Sequence, residues 1–188
     1  MNFRIDGKDR TMHTMQTLWF DRITAPKGAP FAEVMIAVDG EQLAAVDFSG
    51  YEARMERLLT RHYGTWKFTQ KSNPCGFSAC LRSYLNGELD ALDAIPVSLG
   101  GTEFQRAAWQ ALRTIPAGTT ATYAEQAQRI GRPKASRAVG AANGQNPVAI
   151  VLPCHRVVGA SGSLTGYAGG VSTKQWLLRH EGALRDLL

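Results

Sequence analysis

The stretch TYAEQAQRIGRPKASRAVGAAN occupies residues 122–143. Thr122 and Glu125 form the S/T-x-x-E pattern of a capping box, which predicts a short helix starting at Tyr123 and stopping at Gly131. Gly131-Arg132 reads as a tight turn. Pro133, with its fixed φ and missing N–H, suits the first turn of a second helix running to about Asn143. Two short helices across a Gly-containing turn make a helix-turn-helix pattern. The second helix is dominated by small side chains and flanked by Arg129, Arg132, Lys134 and Arg137, with no acid among them. Small and basic together suit a helix pressed into a nucleic-acid groove. They equally suit a tightly packed internal helix with solvated basic ends.

Upstream, Thr102 and Gln105 form another capping box. The helix it starts runs through Ile115, with Phe104, Ala108, Leu112 and Ile115 as its buried stripe and Trp109 beside them. Pro116-Ala117-Gly118 ends it. Downstream, residues 148–152 are a continuous apolar run of strand type, closed by Pro153. Cys154 then sits at the end of a buried segment with His155 next to it. A thiolate is the nucleophilic form of cysteine, and a nearby basic group can generate or stabilise it. Neighbours on a strand point opposite ways, so the dipeptide alone is weak evidence. A Gly-rich segment follows, with glycines at 159, 162, 166, 169 and 170 around Tyr167. It permits close approach to a flat ligand. Ser172 with Gln175 predicts the cap of a last helix, which closes at Glu181. A carboxylate at a helix C-terminus opposes the dipole, and orienting an imidazole is a reason for it to be there.

The first hundred residues read as a small α+β unit. Strands are expected at 14–23, 31–38, 41–48 and about 66–68, the middle pair joined by Asp39-Gly40 as a type I′ hairpin. Helices are expected at 51–63, with Met55, Leu58 and Leu59 on one side, and at 77–85, stopped by Asn86-Gly87. Residues 88–101 read as a linker ending at Gly100-Gly101.

The chain has 188 residues and a formal net charge of +5. Residues 1–100 hold 11 Lys and Arg against 12 Asp and Glu, a net of −1, while residues 101–188 hold 10 against 4, a net of +6. That asymmetry points to a polyanionic partner for the second half. Three cysteines, Cys75, Cys80 and Cys154, argue against a disulfide scaffold and fit a reducing cytoplasm. Cys75 and Cys80 lack the second pair that a zinc site wants. No apolar run reaches membrane-spanning length. Residues 1–13 are polar and read as a disordered arm. His13 and His62 have no motif around them and read as surface residues. His180 reads as a favourable charge at a helix C-terminus.

Pro153-Cys154-His155-Arg156-Val157 resembles the signature of the O6-alkylguanine-DNA alkyltransferases. The resemblance extends upstream to Arg137-Ala-Val-Gly140 and Asn146-Pro147. Downstream it takes in Gly166-Tyr167-Ala-Gly-Gly170, Lys174-Gln-Trp-Leu-Leu178 and His180-Glu181-Gly182. It is dense over residues 90–184, and the joint spacing of the blocks is highly specific.

The resemblance implies an α+β chain. A small RNase H-like sheet-and-helix domain (14–88) and a linker (89–101) would precede a winged-helix-like helix-turn-helix domain (102–188). The recognition helix would enter the minor groove of double-stranded DNA, where its small residues Ala135, Ala138, Ala141 and Ala142 suit a narrow space. Lys134, Ser136 and Arg132 would also meet DNA. The damaged nucleotide must leave the stack for its alkyl carbon to be reached. Arg137 would fill the gap, its guanidinium pairing with the orphaned base.

Cys154 would then attack the alkyl carbon of O6-alkylguanine, with O4-alkylthymine as a second candidate lesion. His155 would take the thiol proton through a water, Glu181 would orient His155, and Tyr123 would protonate a ring nitrogen of the departing guanine. Asn146 would brace the turns around the site. Backbone groups of Val157, Tyr167, Ala168 and Gly169 would line the base pocket, with Lys174 near it. The thioether cannot be hydrolysed by any group evident here, so each molecule would act once, without cofactor or metal. A monomer in solution, with side-by-side binding on DNA open to it, is the expected state.

Ala168 stands where some relatives carry Ser, which removes one side-chain hydrogen bond to O6. The four-cysteine zinc domain of a related transcriptional regulator has no counterpart here. Three other readings compete. A non-catalytic lesion binder is opposed by the presence of Cys154. A Cys-His hydrolase leaves Arg137 and the basic helix unexplained. A winged-helix regulator leaves the Pro-Cys-His-Arg block and the glycines without purpose.

Overall fold

The computed structural model describes residues 15–184; the expected arm at residues 1–13 lies outside them. Element order is β1 (Gln16–Thr24), β2 (Glu33–Asp39), β3 (Gln42–Phe48), α1 (Glu52–Tyr63), β4 (Trp66–Gln70), α2 (Phe77–Leu85), α3 (Glu103–Leu112), β5 (Ala121–Thr122), α4 (Tyr123–Arg129), α5 (Ser136–Asn143), β6 (Val157–Val158) and α6 (Val171–His180). The chain is thus a mixed α+β protein. A four-stranded sheet of order β3-β2-β1-β4 is antiparallel except for the parallel pair β1–β4. Among the described residues no helix is long and apolar enough to cross a membrane.

Side chains alternate across the sheet. Met35 and Ala37 of β2 face one way, with Leu18, Phe20, Met55 and Leu59, so that α1 covers this face. Val34, Ile36 and Val38 face the other way, into a larger core that also takes Leu81 and Tyr84 of α2, Trp109 and Leu112 of α3, residues 148–152, Cys154 and Leu177. One buried cluster therefore joins residues from both halves. The pairing shifts between Ala37 and Val38, and Ala44 and Ala45 both join the α1 face. This bulge returns Val46 and Phe48 to the larger core.

The β2–β3 turn differs from the expected type I′. The loop residues are Gly40 and Glu41, and of these only Gly40 has positive φ, at 55°. Positive φ at the first central position alone is the sign pattern of type II′, which glycine adopts without strain. The segment expected as a linker is packed: Leu92 and Ile95 are buried. Leu43 N–H donates to Pro96 O at 2.8 Å and Ser98 N–H to Leu43 O at 2.9 Å, so this segment covers part of the β3 edge.

The capping boxes at Thr102/Gln105 and Thr122/Glu125 are both formed. Helix α5 begins at Ser136, later than expected. Ala135 N–H donates to Arg132 O at 2.8 Å, making residues 132–135 a β-turn with Pro133 at its second position. Pro133 thus serves a turn and not a helix start, and the connection is longer than Gly131-Arg132. Helix α6 begins at Val171 with Gly170 as N-cap and no side-chain cap. The expected Ser172/Gln175 box is absent, because Gly170, at φ 88°, already turns the chain, and a Cβ there would lie 2.7 Å from the Tyr51 hydroxyl.

Candidate active site

The run 148–152 is buried, as expected, but is not a strand. Only Val148 pairs, as a parallel bridge to Val46, with Ala149 N–H donating to Val46 O at 3.1 Å. Val151 N–H then donates to Ala149 O at 2.8 Å across Ile150, whose φ is +69°. A β-branched residue with positive φ is strained. Pro153 (φ −79°, ψ 64°) makes an inverse γ-turn, with Cys154 N–H donating to Leu152 O at 2.8 Å. An unbroken apolar run reports burial without reporting conformation, which is why a strand was expected. The two tight turns deliver Cys154 onto a single 3-10 turn, Cys154–Arg156.

Asn146 uses both ends of its amide here. Its Nδ2 donates to Leu152 O at 2.7 Å and lies 3.2 Å from Cys154 Sγ, while Oδ1 accepts Val148 N–H at 3.0 Å. Cys154 is 7% exposed. Burial pushes its thiol up, against the Asn146 hydrogen bond and the positive charges of Arg54 and Lys174.

His155 is fully buried, and its Nε2 lies 2.9 Å from Glu181 Oε1. Glu181 also accepts from Arg156 Nε and Nη2, each at 2.9 Å, and from the Tyr84 hydroxyl at 2.6 Å. Burial works to raise the Glu181 carboxyl, but His155 and Arg156 hold it well below the usual carboxylate range. Burial pushes His155 down despite Glu181, so the imidazole is neutral at pH 7. With an ionised partner accepting at Nε2, the proton sits there and Nδ1 keeps its lone pair. Nδ1 is buried and has no partner among the described residues.

A cavity of about 580 Å³ opens beside Cys154, lined by Tyr123, Ser136, Arg137, Gly140, Thr165 and Ala168 among others, including Tyr167. Tyr123 donates its hydroxyl to Thr165 O at 3.3 Å. Lys174, fully buried, donates to the same carbonyl at 3.2 Å and to Val157 O at 2.6 Å. Lys174 thus ties the Gly-rich loop to β6. Gly169 is needed for packing, since a Cβ there would come within 2.8 Å of the Phe48 ring.

The expected residues therefore divide. Cys154, Tyr123, Ser136, Arg137, Tyr167 and Ala168 line one cavity; Asn146 reaches Cys154 Sγ, and Glu181 holds His155, the next residue in the chain. Val157, Gly169 and Lys174 are buried and outside its lining. Arg132, Lys134, Arg137, Ala138 and Ala141 are exposed and Ala135 half-buried, whereas Ala142 is buried against the core. His62 is exposed, and His180 bonds Tyr84 O at 2.7 Å and stacks on Trp176, fastening α6 to α2. Residues near the site without an assigned role include Arg156, Tyr84 and Arg54. Arg156 stood within the signature block and was legible there; Tyr84 and Arg54 lie in the N-terminal half, which carries no motif. Among the described residues no cluster of His, Cys, Asp or Glu could hold a metal.

The arrangement presents a thiol with one amide donor, beside a neutral imidazole whose second nitrogen is held by a carboxylate. It suits nucleophilic attack on a group lodged in the cavity. The family described as 6-O-methylguanine DNA methyltransferase, DNA binding domain, matches residues 103–183. A methylated-DNA–protein-cysteine methyltransferase of Shigella flexneri is 48% identical over 172 residues, covering 90% of this chain and 99% of that protein. One from Methanosarcina acetivorans is 43% identical over 155 residues, covering 82% and 95%. A crystal structure of Mycobacterium tuberculosis OGT in complex with DNA superposes with a TM-score of 0.72 at 38% identity, covering 87% of this chain and 92% of that one.

Proposed function

The chain belongs to the methylated-DNA–protein-cysteine methyltransferase family, and we propose that Cys154 accepts, once per molecule, the alkyl group on O6 of a damaged guanine in duplex DNA. The observation that carries this is the placement of Cys154 Sγ beside the Asn146 amide, at a cavity of about 580 Å³ that Arg137 also lines. A flipped base needs such a pocket, with a basic residue at hand to occupy the vacated stack.

In this reading His155 takes the thiol proton at Nδ1 through a water, and Glu181 holds the ring in that tautomer. Sulfur forms a bond to the alkyl carbon as the carbon–O6 bond breaks. The electron pair leaves with guanine, and the Tyr123 hydroxyl supplies a proton to a ring nitrogen. The product is a thioether on Cys154, so turnover stops. Arg132, Lys134, Ala135, Ser136 and Ala138 contact the minor groove; the exposure of the basic pair supports this. Helices α4 and α5 would be the helix-turn-helix of a winged-helix-like domain at 102–188, and the sheet with α1 and α2 an RNase H-like domain at 14–88. Three free cysteines are in keeping with a cytoplasmic setting.

The test is intact mass after mixing the protein with duplex DNA containing O6-methylguanine. The expected result is one added methyl on Cys154, stopping at one equivalent and absent in Cys154→Ala. Tight lesion binding with no mass gain would instead make this a non-catalytic lesion binder.

A further inference from the structure

Arg54 and Asp47 belong to the N-terminal half, yet they meet the loop that carries Asn146. Arg54 Nη1 donates to Asp47 Oδ2 at 2.6 Å, and Nη2 donates to Asn146 O at 2.8 Å and Gly144 O at 3.4 Å. Asp47 Oδ1 accepts the N–H of Phe48 at 3.1 Å. The two side chains are only 11% and 2% exposed. From the same strand, Val46 N–H donates to Pro147 O at 3.0 Å. The loop is thus held on both sides of Asn146, and the Asn146 amide reaches Cys154 Sγ at 3.2 Å.

We propose that Arg54, clamped by Asp47, is a positioning residue for the nucleophile: it fixes the backbone of Asn146, sets that amide against Cys154 Sγ and faces the site with its positive charge. This rests on the reading of Cys154 as the nucleophile. A buried ion pair is a poor source of stability, since an apolar pair of similar volume often does as well. Its presence here is accounted for by geometry and charge. A guanidinium can reach one carboxylate and two carbonyls from a fixed plane, whereas an ammonium cannot. Burial opposes the Cys154 thiolate, and the groups acting on it are few. They are the Asn146 amide, Arg54 of α1 neutralised by Asp47 of β3, Lys174 of α6, Tyr123 of α4 and Tyr167 of the Gly-rich loop; His155, next in the chain, is engaged with Glu181, itself paired with Arg156. Arg54 and Lys174 are the cations that favour the thiolate.

The experiment follows the pH dependence of Cys154 alkylation by iodoacetamide in the full chain. Peptide mass resolves Cys154 from Cys75 and Cys80, and methyl transfer from O6-methylguanine duplex is measured in parallel. Arg54→Met is expected to raise the midpoint by about one pH unit. Methyl transfer at pH 7 should slow by about tenfold with the loss of thiolate. Asp47→Asn removes the neutralising charge and is expected to lower the midpoint, whether or not Arg54→Met folds. A merely structural pair would move both variants the same way, with loss of thermal stability. That outcome, or a wild-type midpoint in both variants, would overturn the proposal. A wild-type protein that gains no methyl from DNA while both midpoints move oppositely would sink the functional reading and support the role of Arg54.

Discussion

Glu181 Oε1 lies 2.9 Å from His155 Nε2, with both side chains sealed from solvent. The carboxylate at the end of α6 is balanced there by Arg156 and the Tyr84 hydroxyl, which removes the conflict with the helix dipole. Its consequence for chemistry is the tautomer, since an ionised acceptor at Nε2 leaves Nδ1 as the only basic nitrogen.

Glu181→Gln leaves Arg156 buried with its charge uncompensated, at an expected cost of about 3–5 kcal/mol in urea denaturation. General-base catalysis contributes about 10²–10⁴-fold, so a loss of its orienting partner should slow methyl transfer at least tenfold. A folded variant transferring at the wild-type rate would remove Glu181 from the mechanism.

The same pair makes stability fall in acid. Burial holds folded His155 below its ordinary 6.5, so the unfolded chain binds the proton first and stability is lost progressively as pH falls from about 6.5 down through the lower folded value. Glu181 is likewise depressed from 4.5, and its contribution, present above that value, is lost as pH drops further. Asp47, raised by burial, works in the opposite sense. Denaturation midpoints between pH 8 and pH 3 should decline in two stages, and Glu181→Gln should flatten the lower one. A single stage unaffected by that substitution would contradict the assignment.

Asn146→Ala strands the Val148 N–H in a buried place, where an unmet polar group costs about 1–3 kcal/mol. It also takes away the donor to Cys154 Sγ. Slower methyl transfer and a higher pH midpoint for Cys154 alkylation are expected together; reduced stability with unchanged reactivity would make Asn146 purely architectural.

Arg137 is exposed, so Arg137→Ala should change stability by no more than about 0.5 kcal/mol. Its effect should appear on DNA. Transfer from duplex should slow more than transfer from free O6-benzylguanine, and an equal loss on both would exclude a role in filling the vacated stack.

Tyr123→Phe removes one hydrogen bond, to Thr165 O, for about 0.5–1.5 kcal/mol. Lesion affinity, read by a fluorescence-labelled duplex, should persist while single-turnover transfer slows. An unchanged rate would eliminate proton donation by this hydroxyl.

The sequence was most readable where local chemistry decides. The capping boxes at Thr102/Gln105 and Thr122/Glu125 formed as read, because each is closed by residues three apart. Helix α2 ends where Asn86-Gly87 stops it. Pro133 misled because its fixed φ serves a β-turn as well as a helix start. The apolar run at 148–152 misled because it states burial alone; only Val148 bridges to β3, and the chain then turns at Ile150 and Pro153. Ser172 lost its cap to Gly170, whose close approach to Tyr51 is a contact made across the fold.

By itself the sequence determined the α+β class, the presence of two short helices within residues 122–143, and the Pro-Cys-His-Arg block with Glu181 as a partner for His155. Each depends on short-range patterning or on residue types whose spacing is fixed along the chain. The tertiary structure decided that Arg156 and Tyr84 complete the Glu181 cluster. It also decided that Lys174 lies outside the cavity lining and that Arg54, paired with Asp47, reaches the loop carrying Asn146 from the other half. The physical reason is that these contacts join residues distant in sequence, such as Arg54 with Asn146 and Tyr84 with Glu181, through the edge of β3 and the packing of α6 on α2. No local propensity encodes such a meeting, because it exists only once the apolar faces of both halves have closed on one core.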